Sequence, residues 1–363
     1  MPSRTIVIDG REFVPGKRTG IARFLEGLLE ALVESDLDLE ILLAVSNIDA
    51  VPYQFQNNKK TKLEKLPLGF LAAERTLGVL TRQKVSLLFS PYPKLPLLGH
   101  YCLAANTIHD VLDLTHPAYK RRFKTLFDHL RLSTALKKAS LTWYDSSWSL
   151  METEKCAGFV GKNPKVRHPA IDGRFTPGET KDDNAVLEKY RLNRGYIIII
   201  GNGLPHKNLG VLLRVTAELS KDLVFIGVSE RNRKHWQAKY PHAQPTWIEY
   251  SDDEELPALI RGAFCLAQPS TAEGYGYPPL EAMASGLPTV ISNIPVLIET
   301  TGGHALATDP SDSKMWIEAF QALEKRDFYQ TQVEKGLKWA APLRGHKGWR
   351  KHISDLEELL RGS

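Results

Sequence analysis

The sequence predicts an α/β chain of two Rossmann-like domains, each a parallel sheet covered by helices and both facing a common cleft. Three observations carry that expectation. Apolar strand-like runs alternate with helical patterns from end to end. The runs are near-continuous Val, Ile and Leu, as in parallel strands buried on both faces. The alternation also restarts near Tyr196, after a polar stretch bearing Gly and Pro.

In chain order, the first half supplies "TIVIDG", "LEILLAVS", "VSLLFSP", "LAANTIHD" and "LTWYDS" as strands. The helix after the first of these is marked by Ile21, Phe24, Leu25, Leu28, Leu29 and Leu32, which form one apolar stripe. "PAIDGRFTPGETKDDN" reads as a domain connection. The second half supplies "YIIIIGN", "LVFIGVS", "TWIEYS", "FCLAQPS" and "PTVISN". The expected boundaries are residues 1–175 for the first domain, 176–194 for a linker, 195–340 for the second domain and 341–363 for a C-terminal helix, with the first domain as a place for it to pack. Sheets of this kind bind ligands at the carboxyl ends of their strands.

Composition narrows the class. The chain has 363 residues, 42% hydrophobic and 25% charged, with a net charge of +5. That is an ordinary globular balance, and a mild positive charge does not call for nucleic acid. Cys102, Cys156 and Cys265 are well separated and lack metal-ligand spacing, which suits a reducing compartment. The N-terminus runs straight into a strand, and "YIIII" is too short to span a bilayer. The expectation is a cytoplasmic protein, peripheral to the membrane at most, with no cofactor and no bound metal.

The stretch "STAEGYGYPPLEAMASG", Ser270 to Gly286, carries the strongest chemical signal. A buried strand precedes it. Pro278 and Pro279 suit a first helical turn, and Gly286 with Pro288 ends the helix. Free amides at a helix start beside small residues make an anion site. Glu273 on the loop and Glu281, read in the first turn, add two carboxylates. Phosphate together with hydroxyls describes a nucleotide sugar. An acidic residue near a helix start is also favourable by itself. "SDDEEL" reads as a helix cap, with Ser251 and Glu254 as a capping box.

This stretch resembles the Glu-x7-Glu motif of retaining glycosyltransferase family 4, whose fold is the two-domain GT-B fold. "IDGREFVPGKRTGIARFLEGLLEAL", "NTIHDVLDLTHP", "YIIIIGNGLPHKNLGVLL" and "ALATDPSD" match further family segments in order, so the resemblance covers nearly the whole chain. It is strongest to the branch of mannosyl- and rhamnosyltransferases of bacterial surface polysaccharides. It implies that Glu273 faces the donor sugar and that Glu281 binds the nucleotide ribose. Backbone amides of Gly274, Tyr275, Gly276 and Tyr277 would meet the diphosphate. Lys207 would bind the donor phosphate, Gly20 would let backbone approach it, and His109 would lie near the reacting sugar, making Glu273, His109 and Lys207 the catalytic set. At Asn202 or His206 the family usually has an arginine; this chain has neither, which leaves Lys207, helix amides and a protonated His206 to neutralise the diphosphate. Lys17, Arg18, Arg23 and Asp110 are candidates for acceptor or phosphate contacts.

The implied reaction moves mannose from GDP-mannose, or rhamnose from dTDP-rhamnose, bound mainly in the second domain, to a glycan acceptor held mainly in the first, lipid-linked in this reading. The leaving diphosphate takes the acceptor proton, and no metal is required. Two other classes stay open: a nucleotide-sugar epimerase on the same fold, and a binding protein without turnover. Residues 119–138 form a basic stretch in which Phe123, Leu126, Phe127 and Leu130 recur at helical spacing. Such a helix lies on an anionic membrane or packs on its own domain.

Overall fold

The computed structural model describes residues 4–16, 19–82, 84–117, 119 and 122–362. The chain divides into two compact units. The first comprises Met1–Ala170 with Gly345–Ser363, the second Ile171–Arg344.

The first unit holds seven strands: β1 (Arg4–Asp9), β2 (Leu39–Val45), β3 (Thr61–Lys65), β4 (Val85–Ser90), β5 (Leu103–Ile108), β6 (Leu141–Tyr144) and β7 (Pro164–Val166). They lie in the order β3-β2-β1-β4-β5-β6-β7, and every pairing is parallel. The second unit holds β8 (Ile197–Ile200), β9 (Leu223–Ile226), β10 (Thr246–Ile248), β11 (Cys265–Gln268), β12 (Thr289–Ser292) and β13 (Leu306–Thr308). Their order is β10-β9-β8-β11-β12-β13, again all parallel. Both sheets are therefore doubly wound with the same strand order. In each the order reverses beside the first strand, between β1 and β4 and between β8 and β11. Such a reversal opens a crevice at the carboxyl ends of the two strands.

Burial explains why these runs are strands. Ile6, Val7 and Ile8 of β1 and Ile197 and Ile198 of β8 are essentially inaccessible, so neither face of either central strand reaches water. The helix Gly20–Glu34 lays Phe24, Leu25, Leu28, Leu29 and Leu32 on the first sheet as its stripe requires. The C-terminal helix His346–Arg361 belongs to the first unit, where Trp349, Leu356 and Leu360 join the same core. Gly27 permits its close approach, since a Cβ there would stand 2.9 Å from the Trp349 ring.

The stretch expected as a linker, 176–194, is part of the second unit. Its helix Asp183–Lys189 buries Leu187 in the core, and Asp183 forms a buried ion pair with Arg261 at 2.6 Å. Its polar composition hid that one carboxylate is structural. The capping box is corrected as well. The helix there is Leu256–Gly262, its cap position is Glu255, and Glu254 instead pairs with Arg174 at 2.8 Å.

Candidate active site

In the second unit the switch point is occupied by a partly buried pair of opposite charges. β8 ends at Ile200, and a tight turn, Pro205–Lys207, carries Lys207 to its carboxyl end. β11 ends at Gln268, and the following loop carries Glu273. Lys207 Nζ meets Glu273 Oε1 at 2.6 Å, with the side chains 16% and 10% exposed. Gln268 Nε2 and Ser270 Oγ donate to the same oxygen, each at 2.6 Å. Burial by itself would raise the Glu273 pKa, but Lys207 in contact, the Ser270 hydrogen bond and His206 nearby hold it below the ordinary carboxylate value. Glu273 is thus held as the carboxylate.

Other contacts fix the frame around it. The Thr271 amide donates to the His206 carbonyl at 2.8 Å, tying the Lys207 turn to the Glu273 loop. His206 itself is buried. Asn208, in the left-handed conformation, donates through Nδ2 to the carbonyls of Pro269 and Pro310. Asn202 is exposed, and its side-chain oxygen accepts from the Leu204 amide at 3.1 Å.

The helix after Glu273 is Tyr277–Ala284, preceded by Gly276 at φ 97°. A Cβ on Gly276 would lie 2.7 Å from Leu297, so that position requires glycine on two counts. Gly274 is buried. Tyr275 and Tyr277 pack edge to face, 5.4 Å between centroids, and belong to the core by their side chains. Glu281 departs from expectation. The helix starts at Tyr277, so Glu281 falls in its second turn, and it is fully buried. Its burial, rather than a favourable position at the helix start, is the feature that sets it apart.

In the first unit, Gly20 is the first residue of its helix, and Thr19 caps that helix by accepting from the Ala22 amide at 3.1 Å. Arg23 lies one turn further on. Lys17 and Arg18 fall outside the described residues. Asp110 accepts from the Leu112 amide at 2.9 Å. His109, expected near the reacting sugar, has both ring nitrogens engaged. Its Nδ1 meets Asp145 Oδ2 at 2.6 Å and its Nε2 meets the Pro91 carbonyl at 3.1 Å. Both partners are acceptors, so both ring nitrogens carry protons and the ring is an imidazolium. Burial opposes that charge, but Asp145 prevails and raises the pKa. His109 thereby fastens the loop after β4.

Sequence reasoning missed Gln268, Ser270 and Asn208, along with Asp145. A glutamine inside the apolar run "FCLAQPS" was the available signal, because a buried amide needs partners.

Among the curated relatives, O-antigen chain mannosyltransferase B of Escherichia coli is 27% identical over 360 residues, covering 91% of this chain and 94% of that protein. O-antigen chain mannosyltransferase RfbU of Salmonella typhimurium is 31% identical over 136 residues, 36% of this chain and 38% of that protein. The solved structure of Anabaena Alr3699/HepE in complex with UDP-glucose has a TM-score of 0.78 at 16% identity, over 98% of this chain and 99% of that one. Residues 182–339 match the family described as Glycosyl transferases group 1. The chain is a glycosyltransferase of the GT-B fold. The group 1 glycosyltransferase match lies in the second unit, and O-antigen mannosyltransferases are among the chain's relatives.

Proposed function

We propose that this glycosyltransferase moves mannose from GDP-mannose, with retention, to a lipid-linked glycan in O-antigen synthesis. The observation that carries the reading is the partly buried Lys207–Glu273 pair at the β8/β11 switch point, ahead of the helix that bears Glu281. A cation there meets a diphosphate, and carboxylates meet sugar and ribose hydroxyls. The names of the relatives supply mannose and O-antigen. In this reading Glu273 orients the donor sugar, and His206, Asn202 and the amides from Gly274 to Tyr277 flank the diphosphate. Charge on the leaving group is met by Lys207 with His206 beside it, so a chelator should leave turnover intact.

Donor choice is tested by thermal shift across nucleotide sugars. A ligand at a hundred times its Kd should stabilise by about 2.7 kcal/mol. Glu281→Gln should weaken binding of the ligand so identified by roughly 1.5–3 kcal/mol, because an amide accepts fewer hydroxyl bonds than a carboxylate. Unchanged affinity in calorimetry would remove Glu281 from the site.

Membrane contact is part of the proposal. The helix Arg122–Lys138 buries Leu132, Ala135 and Leu136, whereas Leu126 and Leu130 are 71% and 63% exposed. Lys120 and Arg121 of the basic stretch lie outside the described residues. Phe70 stands across Arg131 from Phe127, and Leu68 and Leu71 near it are also exposed. Among the described residues no helix is long and apolar enough to cross a membrane. Leu126→Asp with Leu130→Asp should abolish cosedimentation with vesicles rich in anionic lipid; retained binding would exclude this face.

A further inference from the structure

The first unit has a switch point of its own, between β1 and β4, with an uncommitted cation standing in it. β4 ends at Ser90, and the loop after it carries Lys94 much as the loop after β11 carries Glu273. Lys94 is partly buried. Its ammonium lies 4.1 Å from the centroid of the Tyr92 ring, and among the described residues it has neither a hydrogen bond nor an ion pair. The charges around it are spoken for. Arg11 Nη2 and Nε hold Asp9, and Arg11 Nη1 holds Glu74 at 2.8 Å. Arg131 Nη2 holds both oxygens of Glu74, at 3.2 and 3.1 Å. Asp9 and Glu74 are thus bound by the two arginines, and neither carboxylate pairs with Lys94.

The loop that holds it is fixed on several sides. His109 Nε2 donates to the Pro91 carbonyl, the Tyr92 hydroxyl donates to Glu12 at 2.6 Å, and the Leu97 amide donates to Glu74 at 3.0 Å. Glu12 also accepts from Thr19, the cap of the Gly20–Glu34 helix, so its oxygens are taken up by two hydroxyls. Burial lowers the Lys94 pKa, with Arg11 and Arg131 adding to the fall against Asp9 and Glu74. A partly desolvated ammonium on a rigid loop, at a ligand-binding crevice, lacks one thing, which is an anion.

We propose that Lys94, seated on Tyr92, is an anion subsite of the first unit that takes the phosphate of the acceptor. The proposal rests on the reading of the first unit as the acceptor side, and it adds the chemical class recognised there, a phosphate or diphosphate ester. The diphosphate of a lipid carrier and a free phosphorylated glycan share that chemistry.

The test is direct binding, which does not require turnover. Farnesyl diphosphate and inorganic diphosphate are titrated calorimetrically into the full chain carrying Lys207→Ala, which removes the phosphate contact of the second unit. Lys94→Met in that background keeps the apolar stem and should weaken binding of both probes roughly tenfold or more, whereas Lys94→Arg should retain it. Tighter binding of farnesyl diphosphate than of inorganic diphosphate points to a lipid carrier; equal binding points to the phosphate group alone. Equal affinities with and without Lys94 overturn the proposal, as does absence of binding by the parent protein at an unchanged melting temperature. Donor binding and sugar transfer by the wild-type protein are measured separately, so failure of the transferase reading is visible apart from failure of this subsite.

Discussion

Lys207→Ala is expected to lower glycosyl transfer about a hundredfold, with a smaller change in donor affinity. The reasoning starts from where charge develops. As the glycosidic bond breaks, negative charge grows on the leaving diphosphate, and a cation fixed beside it gains most in the transition state. Lys207 is fixed by a tight turn at the carboxyl end of β8 and by its 2.6 Å contact with Glu273. The contact also gives the variant a second signature. Glu273 is ionised in a buried place because Lys207 offsets the cost of burial. A depressed carboxyl pKa stabilises the fold above the unfolded value, and that gain is lost as pH falls through the folded value. Without Lys207, burial raises the folded pKa, so the acid loss of stability from Glu273 shrinks, and it reverses once the folded value lies above the unfolded one. Glu273→Gln with Lys207 intact removes the titration without removing the cation. Rapid-quench turnover and acid melts of the two variants separate the catalytic role from the structural one. Near-normal turnover in Lys207→Ala would assign the phosphate contact to another cation.

Sequence patterning made the two-sheet architecture legible because central strands are apolar on both faces. β1, β8 and β11 are such strands. The edges were harder. β3 is "TKLEK" and β7 is "PKV", short and polar because an edge strand meets water, and hydropathy passes over them. In the candidate site, Glu273 and Glu281 stood out in sequence as carboxylates beside a helix start that follows an apolar strand, and Lys207 through the family resemblance. The partners did not. That Glu273 shares one oxygen among Lys207, Gln268 and Ser270 depends on two strands lying side by side, which no spacing in sequence expresses. His109 teaches the same lesson. Its place at a strand end suggested an open ligand, whereas Asp145, thirty-six residues on, and the Pro91 carbonyl take both nitrogens. Lys94 drew no attention in sequence because a lysine in a proline-rich loop is usually solvated. Its missing partner appears only once Arg11, Arg131, Asp9 and Glu74 are seen to be paired with one another.

His352 is expected to make the docking of the C-terminal helix weaken in mild acid. It is 1% exposed and sits among the rings of Trp143, Trp349 and Phe24, at centroid distances of 4.7, 4.8 and 6.1 Å. Burial pushes its pKa from 6.5 down to about 3, and Arg167 and His168 add to the fall while Asp355 opposes it. The ring is therefore neutral when the helix is docked. Released into water, it binds a proton near its ordinary pKa. Between those two values the undocked state binds more protons, so stability drops as pH falls through that window and levels off below it. Each pH unit costs about 1.4 kcal/mol, or about 3 kcal/mol between pH 6.5 and roughly pH 4.5. His109 has the opposite sign. Its raised pKa stabilises the fold below the unfolded value, and that contribution is lost as pH rises through the folded value, so it does not produce an acid loss. Hydrogen exchange in the His346–Arg361 helix, followed against pH in wild type and His352→Leu, isolates the effect. Altered packing shifts the variant by a constant amount, while the acid slope belongs to the histidine. The two proteins should converge, or cross, as pH is lowered from about 7.5 to about 4.5. A constant difference across that range would show that the ring titrates as it does in water and that the aromatic cage leaves its charge accessible.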